Sequence, residues 1–209
     1  MSTSFFPSKD YRRQPDPTPF EPSDLVIRVA QPKDLAELVE VLSSSFHSRT
    51  GMMRWFFPLL RMGLYEDLRQ RLRSPLSSDY VCLAAVLSAT HHYSYVVGAV
   101  EVALRPAYPF QIRSSPYPYL SNLAVQLEYR RRGVAQKLLQ TCEEFVLDRG
   151  FHDLYLHVLD DNVAAKQLYF KAGYRLKQAD PLWCHWLLKQ PRRVLLHKKL
   201  TQSDISSLA

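Results

Sequence analysis

The sequence predicts a mixed α/β fold, a single mixed sheet with helices on both faces. Three observations carry that expectation. Hydrophobic patterning along the 209 residues reads β-α-α-β-β-β-α-β-α-β-β, an order that lays helices over a sheet. Two β-α-β units near the middle imply parallel neighbours joined by right-handed crossovers. An apolar fraction of 46% with ten Phe supplies a buried core and argues against wholesale disorder.

Each element follows from local pattern. Residues 1–22 are Pro-rich and largely polar, with one Phe-Phe pair at Phe5 and Phe6, and read as a flexible leader to one domain over 23–200. Asp24–Ala30 alternates like a short strand. Pro32 and Asp34 then sit where a helix begins, with Leu35, Leu38, Val39 and Leu42 as its apolar stripe. A second helical region over Met52–Arg73 is expected to break or bend near Pro58. Tyr80–Leu87 and Tyr95–Leu104 read as antiparallel neighbours around a turn at His91–His92. After the Pro-rich loop Arg105–Pro118 comes a third strand, Tyr119–Val125. The helix Gly133–Arg149 carries Val134, Leu138, Leu139, Cys142, Phe145 and Val146 inward and stops at Gly150. Asp153–Leu159 is a strand and Asn162–Ala172 a helix ending at Gly173. Tyr174–Lys177, Leu182–Leu188 and Arg193–Lys199 are candidate closing strands, and 201–209 a flexible tail.

Composition narrows the function classes. No apolar run approaches the ~20 residues a bilayer-crossing helix needs. The N-terminal stretch lacks a signal-peptide core, and Asp10 and Asp16 argue against a transit peptide. Cys82, Cys142 and Cys184 form no CxxC pair, so neither a disulfide framework nor a metal site is indicated, and a reducing, cytoplasmic location is expected. The net charge of +7 invites a nucleic-acid partner. However, the excess is concentrated in Arg130–Arg132 and in Arg192, Arg193, Lys198 and Lys199. A polyanionic cofactor accounts for the first run equally well, and nucleic acid is not the expected partner.

The chemistry concentrates in Leu123–Ala135, LAVQLEYRRRGVA. A strand ends, a basic turn follows, and Gly133 opens a helix whose free N–H groups and dipole favour an anion. Arg130, Arg131 and Arg132 add charge-assisted donors, and the small Gly133 and Ala135 keep the first turn open. Downstream, the strand LYLHVL runs into DDNVAAKQLYFKAGY, where Asn162 caps a helix carrying Tyr169.

Together these stretches resemble the GCN5-related N-acetyltransferase superfamily. Arg130, Gly133 and Ala135 meet its coenzyme-A signature (Gln/Arg)-x-x-Gly-x-(Gly/Ala). Asn162, Ala165, Leu168, Tyr169, Gly173 and Tyr174 meet its later Asn-x-x-Ala-x-x-Leu-Tyr-x-x-x-Gly-(Phe/Tyr) pattern. The resemblance implies a mostly antiparallel sheet of six to seven strands, with two strands splayed around acetyl-CoA as co-substrate. It implies that backbone groups of Leu123, Ala124 and Val125 pair with the pantetheine arm, and that an N–H on this edge polarises the acetyl carbonyl. Amides from Arg131 to Gln136, Val134 among them, would cradle the pyrophosphate. Asn162 would touch the cofactor arm, and Tyr169 would protonate the leaving thiolate.

Direct attack in a ternary complex needs a neutral amine and therefore a base. His157 stands where many relatives carry Glu and some N-terminal acetyltransferases carry His, and Tyr119 matches the tyrosine those enzymes pair with it. Glu101 is the second candidate base, although a solvent-facing carboxylate is the plainer reading of it. A protein N-terminus has a reference pKa about 2.5 units below that of lysine, so a histidine suits it better by about 3.5 kcal/mol. The segments YLSNLAV, RRRGVA and LYLHVLDDN look particularly like the cyanobacterial and plastid branch, whose plastid members acetylate lysines and N-termini. The expected acceptor is a protein or peptide amine. A small-molecule amine and a non-catalytic coenzyme-A-binding module are the alternatives, and oligomeric state stays open.

Overall fold

The computed structural model describes residues 24–44, 57–73, 76–77, 79–90, 93–106, 115–180 and 192–201. The leader, the tail, the His91–His92 turn, the Leu182–Leu188 strand, Met52–Phe56, Cys184 and most of the Pro-rich loop lie outside these residues.

The strands are β1 (Leu25–Val29), β2 (Leu76–Ser77), β3 (Tyr80–Thr90), β4 (Tyr93–Arg105), β5 (Tyr117–Val125), β6 (Asp153–Leu159), β7 (Arg175–Ala179) and β8 (Arg193–Lys199). They form one sheet in the order β1-β3-β4-β5-β6-β8-β7, with the two-residue β2 paired to the start of β3. Every pairing is antiparallel except β5 with β6. Helices α1 (Leu35–Ser44) and α2 (Phe57–Leu72) cover one face of the sheet, packed on Cys82, Ala84, Val86, Val96, Ala99 and Ala124. Helices α3 (Val134–Asp148) and α4 (Val163–Lys171) cover the other, over a core built around Leu138, Leu139, Leu154, Leu156 and Leu196.

One expectation changes. The second β-α-β unit does not give parallel neighbours, because β8 inserts between β6 and β7 and is antiparallel to both. β8 matches the alternation of β6 over seven residue pairs, whereas β7 is short and largely exposed, so β8 wins the central place. Helix α2 begins at Phe57 and carries Pro58 in its first turn, where the missing N–H costs no helical hydrogen bond; the Met52–Phe56 side of the expected break lies outside the described residues.

Two irregularities shape the centre of the sheet. β5 and β6 pair only at Tyr119 with Tyr155 and Leu120 with Leu156, and diverge beyond. Opposite Val100, strand β5 spends two residues, Asn122 and Leu123, between its pairings at Ser121 and Ala124. This bulge puts Asn122 in the left-handed region, at φ 54°, which Asn tolerates better than most residues.

Candidate active site

The divergence of β5 from β6 opens a cavity of about 1020 Å³. One wall is the β5 segment Leu123–Val125. The turn Gln126–Arg131 and the N-terminus of α3 (Gly133, Val134, Ala135, Gln136) form a second. Asn162, Leu168 and Tyr169 from the α4 side close it, and Glu40 and Ser44 reach in from α1.

The turn before α3 is built from sequence-local causes. Arg131 and Gly133 both take left-handed φ, 63° and 82°. With Gly133 as N-cap, no capping side chain occupies the first turn, and a Cβ added there would meet nothing. The first N–H groups of α3 therefore face open space beside exposed Arg130 and Arg131, an arrangement suited to a pyrophosphate. The loop is tied down from two sides. Arg130 Nε donates to the Val125 carbonyl at 3.1 Å, and the hydroxyls of Tyr129 and Tyr95 meet at 2.7 Å. Burial, then that Tyr95 contact, pushes the Tyr129 hydroxyl up to about 12.

Asn162 caps α4 as its spacing suggests, its Oδ1 accepting from the Ala165 N–H at 3.2 Å. Tyr169 is 7% exposed and packs edge-on against Tyr174, with ring centroids 5.7 Å apart. Burial, then the nearby Tyr119 and Cys142, pushes its hydroxyl well up, so it stays protonated through the neutral range. Of the expected cofactor residues only Arg132 is off the cavity wall. Its guanidinium lies over the Tyr129 ring at 5.7 Å, beyond the left-handed reversal at Arg131.

Tyr119 and His157 do meet. The Tyr119 oxygen accepts the His157 backbone N–H at 3.2 Å and lies 2.9 Å from Nδ1. Both stand off the cavity wall, at the paired end of the splay. With the ring proton on Nδ1, that atom donates to Tyr119 and the Nε2 lone pair is left free. Burial first, then Arg193, lowers the His157 pKa, with Arg105 adding to the effect and Asp180 opposing it. The Arg105 guanidinium sits 3.5 Å from the centre of the Tyr119 ring. Glu101 departs from the solvent-facing reading: it is 1% exposed, under α2, and off the cavity. Among the described residues no cluster of His, Cys, Asp and Glu could hold a metal ion.

Sequence reasoning missed Glu40 and Ser44, whose i, i+4 spacing on a polar face of α1 was the available signal, and Gln167 and Lys171 on α4.

Comparison with known proteins agrees with this geometry. The model of the acetyltransferase (GNAT) family matches residues 49–174. The chain is 31% identical over 169 residues to GCN5-related N-acetyltransferase 10, chloroplastic, of Arabidopsis thaliana, covering 77% of this chain and 66% of that protein. It therefore spans just under two thirds of that relative's length. Two solved structures share the fold. One is PaiA N-acetyltransferase from Thermoplasma acidophilum with coenzyme A (TM-score 0.65, 19% identity, covering 84% of this chain and 98% of that one). The other is Arabidopsis thaliana NAA60 with a bisubstrate analogue (TM-score 0.60, 20% identity, 85% and 98%). The splayed strands, the left-handed turn into α3 and the capped α4 thus occur in a sequence that the family model matches across all of them, and the chain belongs to the acetyltransferase (GNAT) family.

Proposed function

We propose that the chain transfers the acetyl group of acetyl-CoA to primary amines of proteins, N-terminal α-amines and lysines, by direct attack in a ternary complex. The cavity suits the donor in size and lining: strand edge for the pantetheine, helix N-terminus and arginines for the pyrophosphate. The observation that carries the acceptor side is the Tyr119–His157 hydrogen bond at 2.9 Å beside the splay. Tyr119 orients the imidazole, and Nε2 takes the proton of the attacking amine. A strand-edge N–H of Leu123–Val125 holds the oxyanion, and Tyr169 gives its proton to the thiolate as the tetrahedral intermediate collapses.

The choice of a protein amine over a small one rests on the Tyr119–His157 pair, since the likeness to known acetyltransferases supports the family and the fold alone. Buried free Cys82 and Cys142 suit a reducing compartment, the cytoplasm or a plastid interior. No helix among the described residues is long and apolar enough to cross a membrane.

The pH dependence of kcat, with both substrates saturating, tests the base. His157 acts only when neutral, so activity rises as pH climbs through its pKa. Because burial and Arg193 lower that pKa, the acidic limb should lie below the ~6.5 of an ordinary histidine. His157→Ala should lose this limb together with about 100-fold or more of kcat. An unchanged limb in a folded His157→Ala protein would remove His157 from the proposal.

A further inference from the structure

Beneath α2 a carboxylate is buried that the acetyl-transfer chemistry does not use. Glu101 lies on β4, paired with Ser121 at the edge of the β5 bulge, and its Oε2 receives two donors. Asn122 Nδ2, from the left-handed residue of the bulge, donates at 3.0 Å, and Arg71 NH1, from the last turn of α2, donates at 3.2 Å. Arg71 is itself fixed: its Nε and NH2 hold Asp67 at 3.0 and 2.9 Å, and its guanidinium lies 5.2 Å from the centre of the Tyr80 ring. Tyr80 and Cys82, from β3, face the same carboxylate.

Burial raises the Glu101 pKa, and Arg71 and the Asn122 amide oppose that rise. Replacing a buried charge and its partners by apolar side chains is often neutral for stability, so stability alone does not account for Glu101. What an apolar residue cannot do is grip the Asn122 amide. The residue gripped is the one whose left-handed φ turns the chain into Leu123, the start of the cavity's strand-edge wall.

We propose that Glu101 is a positioning residue for the donor side of the site. Braced by Arg71, it clasps Asn122 and so sets the direction of the backbone N–H groups of Leu123–Val125 that polarise the acetyl carbonyl. The inference rests on the reading of that strand edge as the carbonyl-binding edge. It also joins α2 to the donor site through one carboxylate.

The test reverses the hydrogen bond. Asn122→Asp sets two carboxylates against each other and breaks the clasp. Adding Glu101→Gln restores a donor and an acceptor, with their roles exchanged. The full chain is loaded with acetyl-CoA carrying carbon-13 at the thioester carbonyl, and the carbonyl shift is compared between bound and free cofactor. This reports polarisation without any acceptor. Wild type should move the signal downfield, Asn122→Asp should lose at least about half of that displacement, and the double variant should recover it. In turnover, Asn122→Asp should lower kcat about tenfold or more, with the coenzyme-A Kd and the acceptor KM within about threefold of wild type. Asn122→Gly, which accepts the left-handed φ but lacks the amide, should reproduce the loss even where Asn122→Asp folds poorly.

Equal carbonyl shifts in wild type, Asn122→Gly and Asn122→Asp would overturn the inference. So would a folded double variant no better than Asn122→Asp alone. Wild type that binds acetyl-CoA with no displacement at all would instead refute the reading of the strand edge, and this inference with it.

Discussion

Tyr169 is the residue whose role separates binding from chemistry most cleanly. Its ring is packed against Tyr174, and in the proposed mechanism its hydroxyl gives the proton to the leaving thiolate. Tyr169→Phe keeps the packing and removes the proton, so kcat should fall about 30-fold or more while the acetyl-CoA Kd stays within about threefold. Stopped-flow turnover and calorimetric binding measure the two separately; a parallel loss of both would make Tyr169 a packing residue. The sequence made Tyr169, Asn162 and Gly133 legible because each depends on neighbours within a few positions. Glu101 was not legible. Flanked by Val100 and Val102 it reads as the outward residue of an alternating strand, but this sheet is covered on both faces, so its polar side is buried too. Asn122 gave only a weak signal, since Asn enters the left-handed region more readily than most residues but nothing else in YLSNLAV marks a bulge.

At the scale of elements, the loop into α3 turns on backbone conformation more than on charge. Gly133 has φ 82° with open space where a Cβ would be, so substitution there costs strain and no collision. Gly133→Ala should lower stability by about 1–2 kcal/mol. Gly133→Asn should cost about half as much, because Asn enters the left-handed region more readily. Urea denaturation of the three proteins checks the order, and equal losses would mean that the turn relaxes out of that conformation. Helix spans were predicted to within a residue or two for α3 and α4, whose caps are local. Strand order was harder to read. Nothing within Arg193–Lys199 says that it pairs with Asp153–Leu159 ahead of Arg175–Ala179, since that choice is settled by contacts between segments remote in sequence.

For the whole molecule, the two helix layers leave the donor cavity and the Tyr119–His157 pair where β5 and β6 part. That arrangement was foreseeable from motif order, whereas the wall supplied by α1 needed the tertiary fold. The net charge of +7 fits an anionic donor, and burial with Arg193 and Arg105 favours the neutral His157 imidazole against the pull of Asp180. The central claim is that the acceptor is a protein amine. The most direct measurement is thiol release from acetyl-CoA against peptides with free or blocked N-termini, with and without lysine, alongside polyamines and amino acids. The account predicts turnover with free N-termini and, more slowly, with lysine in blocked peptides. Turnover confined to polyamines or amino acids, or tight coenzyme-A binding with no transfer to any amine, would contradict it.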